Sequence, residues 1–529
     1  MSPLTKTRRT GLSTARRTGA LTATVAVIAT ALAGWTAHAS PQPADTSGQL
    51  PSSLTAQSLN WHTCAPPTPA QGTQPAPGRA WQCATIKAPL DYTHPDKKTI
   101  SLALIRTKAT DPHRRIGSLL FNFGGPGASG VSILPTFGDE FQTLNTRYDL
   151  VGFDPRGVGA SAPVTCLTDK ETDAYYTGNS PGDTALPQDP ATFARHYLNS
   201  CRNNSGNILS HVDTVSAARD MDLMRHVLGD RKLHYFGMSY GTKLGAVYAH
   251  LYPHHVGHLV LDAVMDPTKT PLQEALAQTA GFQLALDNYM KDCAAAHGAA
   301  CPTGTTGSDG GNQKLVALLT ALNQHPLPTR DGRKLTADLA FTGIMSALYS
   351  QSAWPTLTTA LNEAQHHGRG DTLLALADAY NGRDPQGRYS NINSANTAIN
   401  CADQKQRYTD TDITTHLPQF RDASPLFGDA MAWSLTTCTG WPTATTTDTP
   451  NVNAPGSAPI LVIGNTGDPA TPYQGARHMA HALGTGVGIH ITLTGQGHGG
   501  YTSNNTCLTN LVDHYLLNNT TPPNNTTCT

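Results

Sequence analysis

Short apolar runs, each closed by glycine or another turn former, alternate with stretches of helical spacing through the first half of this chain. Residues 116–123 form one run, ended by Gly124-Gly125-Pro126-Gly127, and residues 148–153 form a second, ended by Asp154-Pro155-Arg156-Gly157. Residues 214–228 then place Val215, Ala218, Leu223, Val227 and Leu228 on a broadly helical apolar face. A strand-like segment, residues 232–236, leads into Gly237-Met238-Ser239-Tyr240-Gly241, a helical segment stopped by Pro253, and a further apolar run at 259–264. This alternation predicts an α/β class with a mostly parallel sheet and helices on both faces. From about Thr268 to Trp441 the pattern becomes helical and rich in Ala and Leu, with a flexible insert expected at 304–312. A polar linker follows at 442–458, and strand signals return at 459–464 and 487–493. The economical reading is a core, residues 61–267 and 459–529, interrupted by a helical cap at 268–441 that lies over the C-terminal strand ends.

Length and charge narrow the classes. The 529 residues carry a net charge of −1 and only 14% charged side chains, with no long run of one sign, so neither nucleic acid nor an anionic membrane surface is implied as a partner. The N-terminus is the exception. Lys6, Arg8, Arg9, Arg16 and Arg17 precede an apolar stretch from Ala20 to Gly34, and Ala37-His38-Ala39 has the small-x-small form of an export cleavage site. Residues 1–39 are therefore expected to be a signal peptide, and residues 40–60 a loose Pro/Ser/Thr/Gln-rich leader. No membrane association is expected after cleavage. The two arginine pairs are compatible with twin-arginine as well as general export. The ten cysteines contain no C-x-x-C pair, which argues against zinc or redox chemistry, and outside the cytosol they become disulfides. Pairing of sequence neighbours (64–83, 166–201, 293–301, 401–438, 507–528) is the simplest guess, each stabilising by about 2–4 kcal/mol.

The candidate chemistry centres on Ser239. A serine between two glycines, wedged between strand and helix, is a nucleophile elbow. The turn is too tight for flanking side chains, and it leaves the hydroxyl above the sheet with the Tyr240 N–H facing a developing oxyanion. Such a serine needs a base and an acid, in the chain order Ser, acid, His. His498, in Gly495-Gln496-Gly497-His498-Gly499-Gly500 after the last strand signal, is the candidate base among 22 histidines; His254, His255 and His258 read as surface residues. Asp468, in Gly467-Asp468-Pro469-Ala470-Thr471-Pro472, is the candidate acid. Its rivals Asp262 and Asp266 more plausibly make turn or capping bonds. The loop 124–127 supplies further backbone donors, with Gly125 the chosen one, and no metal or cofactor is called for.

Several of these segments together resemble a known family. Phe123-Gly124-Gly125-Pro126-Gly127 is similar to the H-G-G-P-G loop of prolyl aminopeptidases, with Phe123 in place of histidine. Asp154-Pro155-Arg156-Gly157-Val158-Gly159-Ala160-Ser161 resembles their D-x-R-G-x-G-x-S segment. With Ser239-Tyr240-Gly241-Thr242, Gly467-Asp468-Pro469-Ala470-Thr471-Pro472 and Gly497-His498-Gly499, the set resembles the secreted actinobacterial tripeptidyl aminopeptidases. The resemblance runs from about Trp61 to Cys507, and includes Asn400-Cys401-Ala402-Asp403 and Cys438-Thr439-Gly440-Trp441-Pro442. It implies an α/β-hydrolase fold with a cap, and release of short peptides from free N-termini. Phe123 leaves the prolyl preference open.

The expectation is thus a secreted serine exopeptidase acting on peptides with a free N-terminus. A carboxylate beneath the cap should meet the substrate amine; Asp403 and Glu274 are both candidates, and capping or surface roles suit either equally. Two other functions fit the same motifs. One is a secreted esterase or lactonase, since fold does not decide substrate; the other is a catalytically silent binding protein.

Overall fold

The computed structural model describes residues 50–177, 190–444 and 448–529. The expected signal peptide and the part of the expected leader before residue 50 lie outside these. Within the rest of the leader, Ser52–Thr55 form a one-turn helix with Leu54 buried, and Gln57 bonds both backbone groups of Lys87.

Ten strands form one sheet: β1 His62–Thr63, β2 Gln82–Pro89, β3 Thr99–Thr107, β4 Gly117–Asn122, β5 Tyr148–Phe153, β6 Leu233–Met238, β7 Val256–Asp262, β8 Ile460–Gly467, β9 Gly488–Gln496 and β10 Thr526–Cys528. Their spatial order is β1-β2-β3-β5-β4-β6-β7-β8-β9-β10. The β1–β2, β2–β3 and β3–β5 pairs are antiparallel, and every pair from β5–β4 onward is parallel. Every residue of β4 and β5 is buried, as a sheet covered on both faces requires. Period-2 side chains divide between two cores. Leu120, Tyr235, Leu261 and Val462 pack on one face; Leu119, Phe121, Phe236, Val260 and Ile463 pack on the other. This is the α/β-hydrolase arrangement.

Between β7 and β8 the chain is almost entirely helical, with its own apolar cluster around Phe282, Leu286, Tyr289, Ile344, Leu357 and Phe427. Of the flexible insert expected at 304–312, only residues 304–306 lie outside a helix. Gly307–Gln324 is a single helix, and Gly311 packs so tightly that a β-carbon would lie 2.1 Å from the Met290 sulfur. Tertiary packing overrides the weak helix propensity of the Gly/Ser/Asp cluster.

The segment Asp154-Pro155-Arg156 is scaffolding. Arg156 is fully buried, pairs in bidentate fashion with Asp220 at 2.7 Å on both oxygens, and donates to Pro89 O, Leu90 O and His211 O. Asp154 accepts from Ser129 Oγ (2.6 Å), Val131 N–H (3.2 Å), Ala160 N–H (2.9 Å) and Gln71 Nε2 (3.0 Å). It thereby fixes the chain leaving the 124–127 loop. All five disulfides join sequence neighbours as expected, and among the described residues no helix is long and apolar enough to cross a membrane.

Candidate active site

Ser239, Asp468 and His498 each follow the C-terminal end of a strand: β6, β8 and β9. Ser239 precedes the helix Tyr240–Leu251 (α1) and holds φ 55° and ψ −122°. The glycines on either side are dictated by contact. A β-carbon at Gly237 would lie 2.4 Å from Gly241 O, and one at Gly241 would lie 2.7 Å from Asn122 O. Neither distance is attainable by a real β-carbon, so the elbow exists only with glycine at both positions.

The loop after β4 closes directly on this turn. Gly124 sits at φ 86°, and a β-carbon there would lie 2.7 Å from both Ser239 Cβ and Met238 O. Its N–H is taken by Asn122 Oδ1 at 3.0 Å, which leaves Gly125 as the next backbone donor of the loop. Tyr240 opens α1, so its N–H has no acceptor one turn back within the helix. Gly125 and Ser239 line the same cavity of about 410 Å³.

His498 Nδ1 lies 2.9 and 3.0 Å from the two oxygens of Asp468. The carboxylate is itself fixed, accepting from Ala470 N–H (2.9 Å), Thr471 N–H (2.8 Å) and Thr471 Oγ1 (3.0 Å). Burial opposes a charged imidazole, but the adjacent Asp468 carboxylate outweighs it and the His498 pKa is raised above its ordinary value. The His498 N–H donates to Tyr349 O at 2.8 Å, and the Tyr349 ring meets the imidazole edge-on at 5.3 Å and 90°. A half-buried imidazole held in this way by a buried carboxylate can accept a proton and hold the resulting imidazolium.

The rival acids are occupied elsewhere. Asp262 accepts from Gly500 N–H and Tyr501 N–H at 2.9 Å through its side chain, and from Ser239 N–H at 3.0 Å through its carbonyl. One residue at the end of β7 thus holds both the elbow and the histidine loop. Asp266 accepts from Thr268 N–H, Lys269 Nζ and His478 Nδ1.

The two candidate amine partners separate clearly. Asp403, at the end of the helix Ile392–Asp403 (α2), accepts from Thr214 N–H (2.9 Å), the Thr214 hydroxyl and Lys243 Nζ (2.7 Å). Glu274 lines the cavity of Ser239, and its Oε2 is buried with no hydrogen-bond partner. Burial pushes its pKa up to about 7. Lys243 and Lys269, the cations nearest in charge, are paired with Asp403 and Asp266.

Over 484 residues the chain is 37% identical to Serine protease Hip1 of Mycobacterium tuberculosis, covering 87% of this chain and 90% of that protein. Residues 424–528 match the family model described as TAP-like protein. The chain belongs to the TAP-like serine peptidases of the α/β-hydrolase fold. It is also 36% identical over 466 residues to Carboxylesterase B of Mycobacterium tuberculosis, covering 85% of this chain and 86% of that protein. Tripeptidyl aminopeptidase of Streptomyces lividans is 33% identical over 484 residues, which cover 89% of this chain and 86% of that protein.

Three contributors to this TAP-like site were not assigned roles from sequence. Thr471 stood inside a quoted motif, so its position was visible and its bond to Asp468 was not. Asp262 makes the loop-capping bonds expected of it, and that it also holds the elbow through its carbonyl is what no local signal showed. Tyr349 lies in the helical insertion with no motif around it, and nothing local marks it. Of the histidines read as surface residues, His254 is exposed and the other two are half-buried; His258 bonds Tyr148 and Asn519, and His255 bonds Asp222.

Proposed function

We propose that this TAP-like serine peptidase is an exported exopeptidase that releases short peptides, tripeptides in the first instance, from the free N-termini of peptide substrates. In this reading Ser239 attacks the scissile carbonyl and His498 takes its proton and returns it to the leaving amine. Asp468 orients His498, and the N–H groups of Tyr240 and Gly125 hold the oxyanion. The observation that carries the reading is the unpartnered Glu274 carboxylate in the cavity of Ser239. A buried carboxylate without a donor is costly, and a substrate ammonium supplies both the missing hydrogen bonds and the opposite charge. The name of the Streptomyces relative, Tripeptidyl aminopeptidase, supports the same substrate class. Tyr349 and Tyr380 of the insertion also line this cavity, which favours chain ends over the middle of a folded protein.

Glu274→Gln is expected to raise KM for a tripeptide anilide with a free amine by roughly thirtyfold, the equivalent of about 2 kcal/mol for a charge-assisted hydrogen bond. Its effect on kcat should be small. In the wild type kcat/KM should rise as pH is raised through about 7, because Glu274 must lose its proton to hold an ammonium and His498 must lose its own to act as base. The variant should keep only the His498 part of that limb. N-acetylation of the substrate should impair the wild type strongly and the variant little. Equal KM values for wild type and variant would remove Glu274 from the reading.

A second reading has one observation behind it: the relative named Carboxylesterase B. Hydrolysis of simple acyl esters without any cleavage of free-amine peptides would favour it. Export rests on the N-terminal pattern and the five disulfides. Sequencing the mature chain from an exporting host is expected to give Ser40 as its first residue; an intact N-terminus on an intracellular product would contradict it.

A further inference from the structure

A second cavity, of about 850 Å³, adjoins that of Ser239 and has no part in the chemistry described above. It lies between the helices Asp169–Thr177 and Pro190–Ser205, which leave the core after β5, and the α2 helix with the segment Gly428–Ser434 of the insertion. Asn396, Thr397, Ser434 and Thr437 line both cavities. At this join the Asn396 amide donates to Pro126 O at 3.1 Å. The join therefore stands beside the loop that carries Gly125, next to the position of the reacting carbonyl.

The wall of the groove is aromatic. Tyr175 and Phe193 stack at 4.6 Å and 5°, and contacts at 5.1, 6.0 and 6.0 Å extend the set to Tyr176, Tyr197 and Tyr389. Tyr175 is 48% exposed and Trp433 is 36% exposed. Both are among the few large apolar side chains left in solvent, and both face this groove. The lining also includes Asp169 and Asp338, and among the described residues it contains no Lys, Arg or His.

We infer that this groove binds the part of a peptide substrate that lies C-terminal to the scissile bond, with preference for aromatic and basic residues there. The inference rests on the exopeptidase reading. With the amine at Glu274 and the scissile carbonyl at Ser239, the acyl portion occupies the first cavity. A longer substrate must then continue out of it, and the groove opens at the point where the leaving portion begins. Open aromatic faces favour planar and apolar side chains; Arg383 behind Tyr389 is paired with Asp173, so the lining aspartates Asp169 and Asp338 favour Lys or Arg over Asp or Glu. Ser390 also lines the groove and offers a hydroxyl to backbone groups of the extended chain.

The test compares one free-amine tripeptide carried by three leaving groups: an anilide, a Phe-Lys-Phe extension and a Phe-Glu-Phe extension. The mature wild type should show a lower KM for the Lys extension than for the Glu extension. Tyr175→Ala and Trp433→Ala, with folding checked by their thermal midpoints, should each raise KM for the Lys extension by about tenfold. Turnover of the anilide should stay within twofold. Asp338→Asn should narrow the difference between the Lys and Glu extensions and leave the anilide unchanged. If the variants match the wild type on extended peptides, or lose anilide turnover equally, the groove does not hold the leaving chain. Absence of anilide turnover in the wild type would instead overturn the exopeptidase reading itself.

Discussion

Ser239→Ala is expected to lower kcat on a free-amine tripeptide anilide by about 10⁶-fold, the scale on which nucleophile removal acts in serine hydrolases. The fold should be untouched. The recorded bonds of Ser239 are made by its backbone, from N–H to Asp262 O and from Thr242 N–H and Oγ1 to its carbonyl. Alanine keeps all of them, and the strained φ of 55° is imposed by the glycine contacts around the turn. The thermal midpoint should therefore stay close to that of the wild type while labelling by a fluorophosphonate probe disappears. Retained hydrolysis by this variant would defeat the proposed mechanism. Failure of the folded wild type to take up the probe at Ser239 would favour the silent binding protein.

Asp468→Asn should be the next most damaging change, costing about 10⁴-fold in kcat. Every recorded partner of this carboxylate is a donor: Ala470 N–H, Thr471 N–H, Thr471 Oγ1 and His498 Nδ1. An asparagine amide must direct its NH₂ at one of them, and turning it toward His498 forces the proton onto the wrong ring nitrogen. The pH profile separates this role from a structural one. The carboxylate raises the His498 pKa, so its neutralisation should let that pKa fall and move the His498 part of the acid limb to lower pH. A variant that lost stability but kept the limb in place would show that Asp468 only supports its loop.

Much of this was legible because the chemistry sits at strand ends, where spacing rules are strict. The Ser239 elbow, the acid after β8 and the histidine after β9 each carry local glycine signals that can be read without knowing the fold. The limits were of two kinds. Propensity failed at 307–312, where a glycine-rich stretch is helical because Gly311 lets Met290 approach. The helices Asp169–Thr177 and Pro190–Ser205 and the short strand Thr526–Cys528 gave no sign in the pattern, since they depend on partners far away in the chain. Long-range pairing also hid what distinguishes Asp403 from Glu274. Both are acidic residues in helical text. Only the fold brings Lys243 and Thr214 to one and leaves the other without a donor.

That bolt at Asp403 also bears on how substrates get in. The α2 helix of the insertion is pinned to the helix behind Ser239 by the Lys243 pair with Asp403, and Cys401, two residues before Asp403, is bonded to Cys438. Asn391, just before the same helix, accepts from Gly159 N–H and donates to Gly157 O and Val164 O. Swinging the insertion away would strand a largely buried carboxylate and its lysine, at a cost of about 3 kcal/mol or more, which holds such a state below about one molecule in a hundred. The roof is part of the wall. In the exopeptidase reading, selection among substrates is then made by a fixed aperture and the side chains that rim it, rather than by a door.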